Sequence, residues 1–131
     1  MLENYYNVES VARNDGEAVY TVSLNPDCEV YRGHFPGNPV SPGVCNIRMI
    51  QECARKECLL SSVAGGPGSG NLYIEEIRQC RFTSLVSPLT HPRLDVHVSL
   101  EDLGARRFGL TASIVSEGTV CLSMKAVCRM S

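Results

Sequence analysis

A chain of 131 residues, 44% hydrophobic and 20% charged, is long enough to bury one ordinary hydrophobic core. Twelve basic against fourteen acidic residues give a net charge of -2 without any basic run, which argues against nucleic acid as a partner. No apolar run approaches the roughly eighteen residues of a membrane helix and no secretory leader pattern opens the chain, so a cytoplasmic protein with no membrane insertion is expected.

In chain order, residues 5–13 and 17–24 are two β-prone runs around Asn14-Asp15-Gly16, a strong hairpin signal. Ala18, Tyr20, Val22 and Leu24 alternate with more polar neighbours, as a half-buried strand requires. Asn25-Pro26-Asp27 then ends the pairing and leads to GHFPGNPVSPGV at residues 33–44. Three prolines and three glycines in twelve residues impose one non-repetitive backbone path. His34 is its only side chain able to exchange protons near neutral pH.

From Val44 to about Leu60 the apolar positions Val44, Ile47, Ile50, Cys53, Ala54 and Cys58 keep helical spacing. Cys45, Met49, Leu59 and Leu60 widen that face, so the helix is expected to be wrapped on several sides. Pro42 and Gly43 suit its entry, while Arg55 and Lys56 fall towards its C-terminal end. The Gly65 to Gly70 stretch has the outline of a phosphate loop, but Asn71 and Leu72 stand where Lys and Ser or Thr must follow, so it reads as a connector.

Four further strands are predicted over residues 72–83, 93–100, 106–116 and 119–130. Asp102-Leu103-Gly104 and Glu117-Gly118 are read as the turns between the last three, with Val120, Leu122, Met124, Ala126 and Cys128 facing inward in the final strand. The seven cysteines show no CxxC pair, which predicts free thiols packed as small hydrophobes. The economical arrangement is α+β, an antiparallel sheet curled around one helix in a single domain over residues 1–131.

The block HFPGNPVSPGV resembles the β-hydroxyacyl-acyl carrier protein dehydratases, in which His-Phe-Pro-Gly-x-Pro-x-x-Pro-Gly-Val precedes a central helix. Every fixed position is filled. The resemblance extends more weakly over nearly the whole chain and implies a hotdog fold that acts on acyl thioesters held by acyl carrier protein. It also implies a homodimer whose active site lies between His34 of one copy and the helix of the other. His34 is then the expected base, the carbonyl of Val40 orients its ring, and the backbone N–H of Gly43 holds the thioester oxygen. This chemistry needs no cofactor and no metal. Where the family carries its acid, fourteen residues after the histidine, this chain has Arg48.

Arginine stays protonated and cannot serve as a carboxylic acid, although its fork can hold a hydroxyl or a water. Glu52, one turn on, is the nearest carboxylate and is placed to pair with Arg48. Three readings follow: a dehydratase with Glu52, an Arg48-held water or His34 itself returning the proton; a non-catalytic acyl-binding partner subunit; and a hotdog thioesterase. His91, before Pro92, and His97, within an alternating strand, are expected to be structural or exposed.

Overall fold

The computed structural model describes residues 4–31, 40–60 and 70–131. In order these residues form β1 (Tyr6–Asn14), β2 (Glu17–Leu24), a 3-10 turn at Glu29–Tyr31, α1 (Gly43–Leu60), β3 (Leu72–Phe82), β4 (Arg93–Gly104), β5 (Arg107–Ser116) and β6 (Thr119–Met130). The six strands make one sheet in the order β1-β2-β4-β5-β6-β3, antiparallel at each pairing. The helix lies against β3, β4 and β5. This is the α+β hotdog arrangement that the sequence implied.

Alternation explains why the sheet accepts a helix on one face. Ala18, Tyr20, Val22 and Leu24 of β2, Leu94, Val96 and Val98 of β4, and Phe108, Leu110, Ala112 and Ile114 of β5 are buried, while their neighbours are partly or fully exposed. The helix answers with Cys45, Met49, Ile50, Cys53, Ala54 and Cys58. None of the seven cysteines is in a disulfide; six are buried and Cys80 is half-buried.

Two hairpins turn at Asp15-Gly16 and Glu117-Gly118, where both central residues have positive φ, the geometry whose twist matches that of the strands. The expected turn at Asp102-Leu103-Gly104 requires correction. Strand β4 runs through Gly104, and the chain reverses at Ala105 and Arg106, with φ of 53° and 60°. The Asp102 side chain accepts the Gly104 N–H at 2.8 Å, so these residues form an irregular strand end and not a loop. Val120 is likewise 45% exposed, because a register shift between Ile114 and Val115 brings Cys121 inward instead.

Both ends of the helix are tied by polar contacts. Near its start Tyr5 donates to Asn46 Oδ1 at 2.7 Å, Tyr31 and Ser41 share a hydrogen bond of 2.8 Å, and the Tyr5 and Tyr31 rings stack at 6.0 Å. The Ser41 N–H also donates to the Val86 carbonyl at 2.7 Å, so the loop between β3 and β4 braces the approach to α1. Towards the other end Glu57 accepts two bonds from Arg13, at 3.0 and 2.7 Å, and one from the Tyr20 hydroxyl.

Candidate active site

The site is built on the start and the uncovered face of α1. Pro42 offers its carbonyl to the N–H groups of Cys45 and Asn46, at 3.0 and 3.2 Å, which starts the helix at Gly43. Among the described residues nothing accepts the N–H of Gly43 or Val44, as expected for the first turn of a helix without a side-chain cap. A Cβ on Gly43 would stand 2.8 Å from Cε1 and 2.9 Å from Cζ of Phe82. The Phe82 ring, itself 56% exposed, lies directly over position 43.

His34 lies outside the described residues, as does the rest of 32–39. Val40 is half-buried beside the buried Ser41, and Gly43 occupies the first helical position. Arg48 and Glu52 point to the same side of the helix, one turn apart. Their closest atoms, Arg48 Nε and Glu52 Oε2, are 3.7 Å apart, an ion pair with side chains 45% and 26% exposed. The pairing expected from their spacing is therefore present.

Tyr6 is the site residue that sequence reasoning missed. Its hydroxyl donates to Glu52 Oε1 at 2.7 Å across 46 positions of chain. Burial above all, and then this bond to Glu52, holds the phenol well above its ordinary pKa, so it remains a donor at neutral pH. With Tyr6 on one oxygen and Arg48 near the other, Glu52 is already engaged as an acceptor. No local signal in the sequence joins Tyr6 to the helix; only the folding of β1 beside it does.

Beyond Glu52 the uncovered face opens into a groove of about 540 Å³ between Tyr6, the helix residues Arg48, Gln51, Glu52, Arg55 and Lys56, and residues 71–73. Two bonds fix its floor. Gln51 Nε2 donates to the Leu72 carbonyl and Arg55 Nε to the Gly70 carbonyl, each at 2.6 Å. The other histidines are structural. His91 accepts the Ser87 N–H at 3.2 Å within a tight turn, and His97 pairs with Glu17 at 3.2 Å on the outer face.

Comparison with known proteins points to one family. The family model described as ApeI-like, ApeI dehydratase, matches residues 10–124. The chain is 33% identical over 85 residues to a 3-hydroxyacyl-acyl-carrier-protein dehydratase FabZ of Legionella pneumophila, covering 63% of this chain and 53% of that protein. It is 30% identical over 116 residues to the FabZ of a Janthinobacterium species, covering 86% of this chain and 70% of the relative. Against the Legionella protein and FabZ relatives of Levilactobacillus brevis and Novosphingobium aromaticivorans, the match spans about half of their length, 53%, 49% and 53%.

Among solved structures, the dehydratase heterocomplex ApeI:P from Xenorhabdus doucetiae is similar with a TM-score of 0.63 at 19% identity, over 94% of this chain and 97% of that one. A thioesterase from Haemophilus influenzae is similar with a TM-score of 0.64 at 12% identity, over 96% and 78%. Identities this low show the fold alone.

Proposed function

The chain belongs to the ApeI-like dehydratase family, and from that membership we propose that it removes water from 3-hydroxyacyl thioesters carried on acyl carrier protein, giving trans-2-enoyl thioesters. The observation that carries this reading is the conjunction of the complete HFPGNPVSPGV block with a helix whose first residue, Gly43, has an N–H that no group among the described residues accepts. His34, with a reference pKa of about 6.5, takes the C2 proton. The Gly43 N–H, helped by the positive end of the α1 dipole, holds the negative charge that develops on the thioester oxygen.

Departure of the C3 hydroxyl needs a proton, and Arg48 cannot supply one as a carboxylic acid would. Glu52, accepting from Tyr6 and paired with Arg48, is poorly disposed to do so either. The favoured route returns the proton from His34 itself while the Arg48 guanidinium hydrogen-bonds the hydroxyl. The C2–H and C3–O bonds break, the C2–C3 double bond forms, one water leaves, and the histidine ends as it began. By the family resemblance the pair of sites forms in a homodimer, with His34 and the helix contributed by different copies.

Turnover of a 3-hydroxyacyl thioester on carrier protein, followed by mass spectrometry for loss of one water, tests this directly. The wild-type protein is expected to dehydrate it and His34→Ala, still folded, to lose the activity; an unchanged rate in the variant would rule the mechanism out.

The arginine at position 48 favours one second reading, a non-catalytic acyl-binding partner subunit. That reading expects acyl thioesters to bind without turnover and Arg48→Glu to bring turnover back.

A further inference from the structure

The groove beyond Glu52 carries a concentration of positive charge, and of its three cations the dehydration chemistry uses only Arg48. Arg48, Arg55 and Lys56 line it against one carboxylate, Glu52, in a chain whose net charge is -2. Several arginines elsewhere on the surface are matched: Arg13 by Glu57, Arg93 by Glu9, and both Arg107 and Arg129 by Glu75. Arg55 and Lys56 differ. Among the described residues neither has a carboxylate partner: Arg55 spends its Nε on the Gly70 carbonyl and keeps its two terminal nitrogens, and Lys56 Nζ lies 6.0 Å from the Tyr20 ring centre.

Concave placement strengthens such charges, because the low-dielectric walls focus their field on whatever enters. The arginine fork is also anchored. With Nε bound to a backbone carbonyl, less side-chain entropy remains to be lost when the terminal nitrogens take a ligand. The same groove suits a plain aliphatic chain badly, since covering three cations and a carboxylate with methylenes would desolvate them without replacing their hydrogen bonds.

We propose that this groove binds an anionic group joined to the thioester substrate, with the terminal nitrogens of Arg55 and Nζ of Lys56 as its ligands. The inference rests on the reading that the substrate is an acyl thioester. Arg55 lies twelve residues past Gly43, about 18 Å along the axis at 1.5 Å per residue. A chain of that reach extends from a thioester in either direction: to a carboxylate at the far end of the acyl tail, or to the phosphate of a pantetheine arm. Either anion offers the oxygen atoms that a guanidinium fork and an ammonium recognise.

Three thioesters of one 3-hydroxyacyl chain length separate these cases by calorimetric binding to the wild-type protein and to Arg55→Gln/Lys56→Gln. The first is a neutral N-acetylcysteamine thioester. The second is the N-acetylcysteamine thioester of the matching acid with a terminal carboxylate, and the third is the neutral acyl chain on phosphopantetheine. One anionic probe is expected to bind the wild-type protein about tenfold or more tightly than the neutral one, the size of a charge-assisted hydrogen bond, and to lose that advantage in the double variant.

Preference for the carboxylate probe assigns the groove to the acyl tail, and preference for the phosphate probe assigns it to the carrier arm. Equal binding of all three by the wild-type protein, or an advantage that survives the double substitution, overturns the groove while leaving the acyl thioester reading intact. Failure of every thioester to bind overturns both. Far-UV circular dichroism and thermal unfolding of both proteins serve as the folding control.

Discussion

At the scale of single residues, Gly43 is where structure and chemistry press on the same atoms. Its φ is not in the left-handed region, so alanine is acceptable to the backbone and even favours a helix. What a methyl group meets is the far edge of the Phe82 ring, at 2.8 and 2.9 Å, and that ring is exposed enough to swing aside. Gly43→Ala is therefore expected to change stability by less than about 1 kcal/mol. Turnover should fall sharply, because the displaced ring and the new methyl both crowd the N–H assigned to the thioester oxygen. Thermal unfolding and steady-state rates measured on the same preparation check the pair of statements; a loss of several kcal/mol would mean that Phe82 is held more firmly than its exposure implies.

At the scale of elements, the helix is fastened to the first hairpin through Glu57. Burial by itself would raise the pKa of this carboxyl, but the hydrogen bonds from Arg13 and Tyr20 outweigh it and hold the group below its ordinary value. A lowered folded pKa means stability that is present above the carboxylate range and lost as pH falls through it. Glu57→Gln is expected to cost about 1–2 kcal/mol at pH 7. Denaturant titrations of the two proteins should converge as the pH falls through and below the carboxylate range, and a gap that persists in acid would assign the loss to packing. Most elements were legible because each carries its own local period. The β2 alternation and the helical spacing after Val44 need no partner to be read, and Asn14-Asp15-Gly16 is a turn whatever surrounds it. What escaped depends on other strands: the shift that turns Val120 outward arises in its pairing with β5, and the end of β4 is set by where β5 begins. The site divides the same way. Arg48 and Glu52 sit one turn apart and were readable as a pair, whereas Tyr6 meets Glu52 only because β1 folds beside the helix, and the Phe82 ring over Gly43 joins residues of different elements.

At the scale of the whole molecule, buried acids that keep their protons set a limit at alkaline pH. Burial pushes Cys53 and Cys58 up to about 12 and Cys128 up to about 11, while Tyr5, Tyr6 and Tyr20 are raised chiefly by the same cause. In the unfolded chain these thiols ionise near pH 8.5–9 and the phenols near 10. Because the folded values are the higher ones, the stability they supply is complete below the unfolded pKa and is lost as pH rises towards the folded value. Each thiol is expected to remove up to about 1.4 kcal/mol per pH unit above about pH 9, with a steeper fall once the tyrosines join above 10. Melting temperature against pH under reducing conditions reads this out, and a flat profile between pH 9 and 11 would contradict it. The strand order carries a consequence of another kind. Among the described strands β3 pairs only with β6, which follows it after two intervening strands, Leu72 facing Met130 and Phe82 facing Leu122. As the chain leaves the ribosome, β1 and β2 can close on each other at once, yet β3 must wait with both edges open until β6 arrives between it and β5. Such non-local closure is slow and exposes unpaired strand to other chains in the meantime, so the risk of aggregation during biosynthesis falls on the segment that carries Phe82 and one wall of the groove.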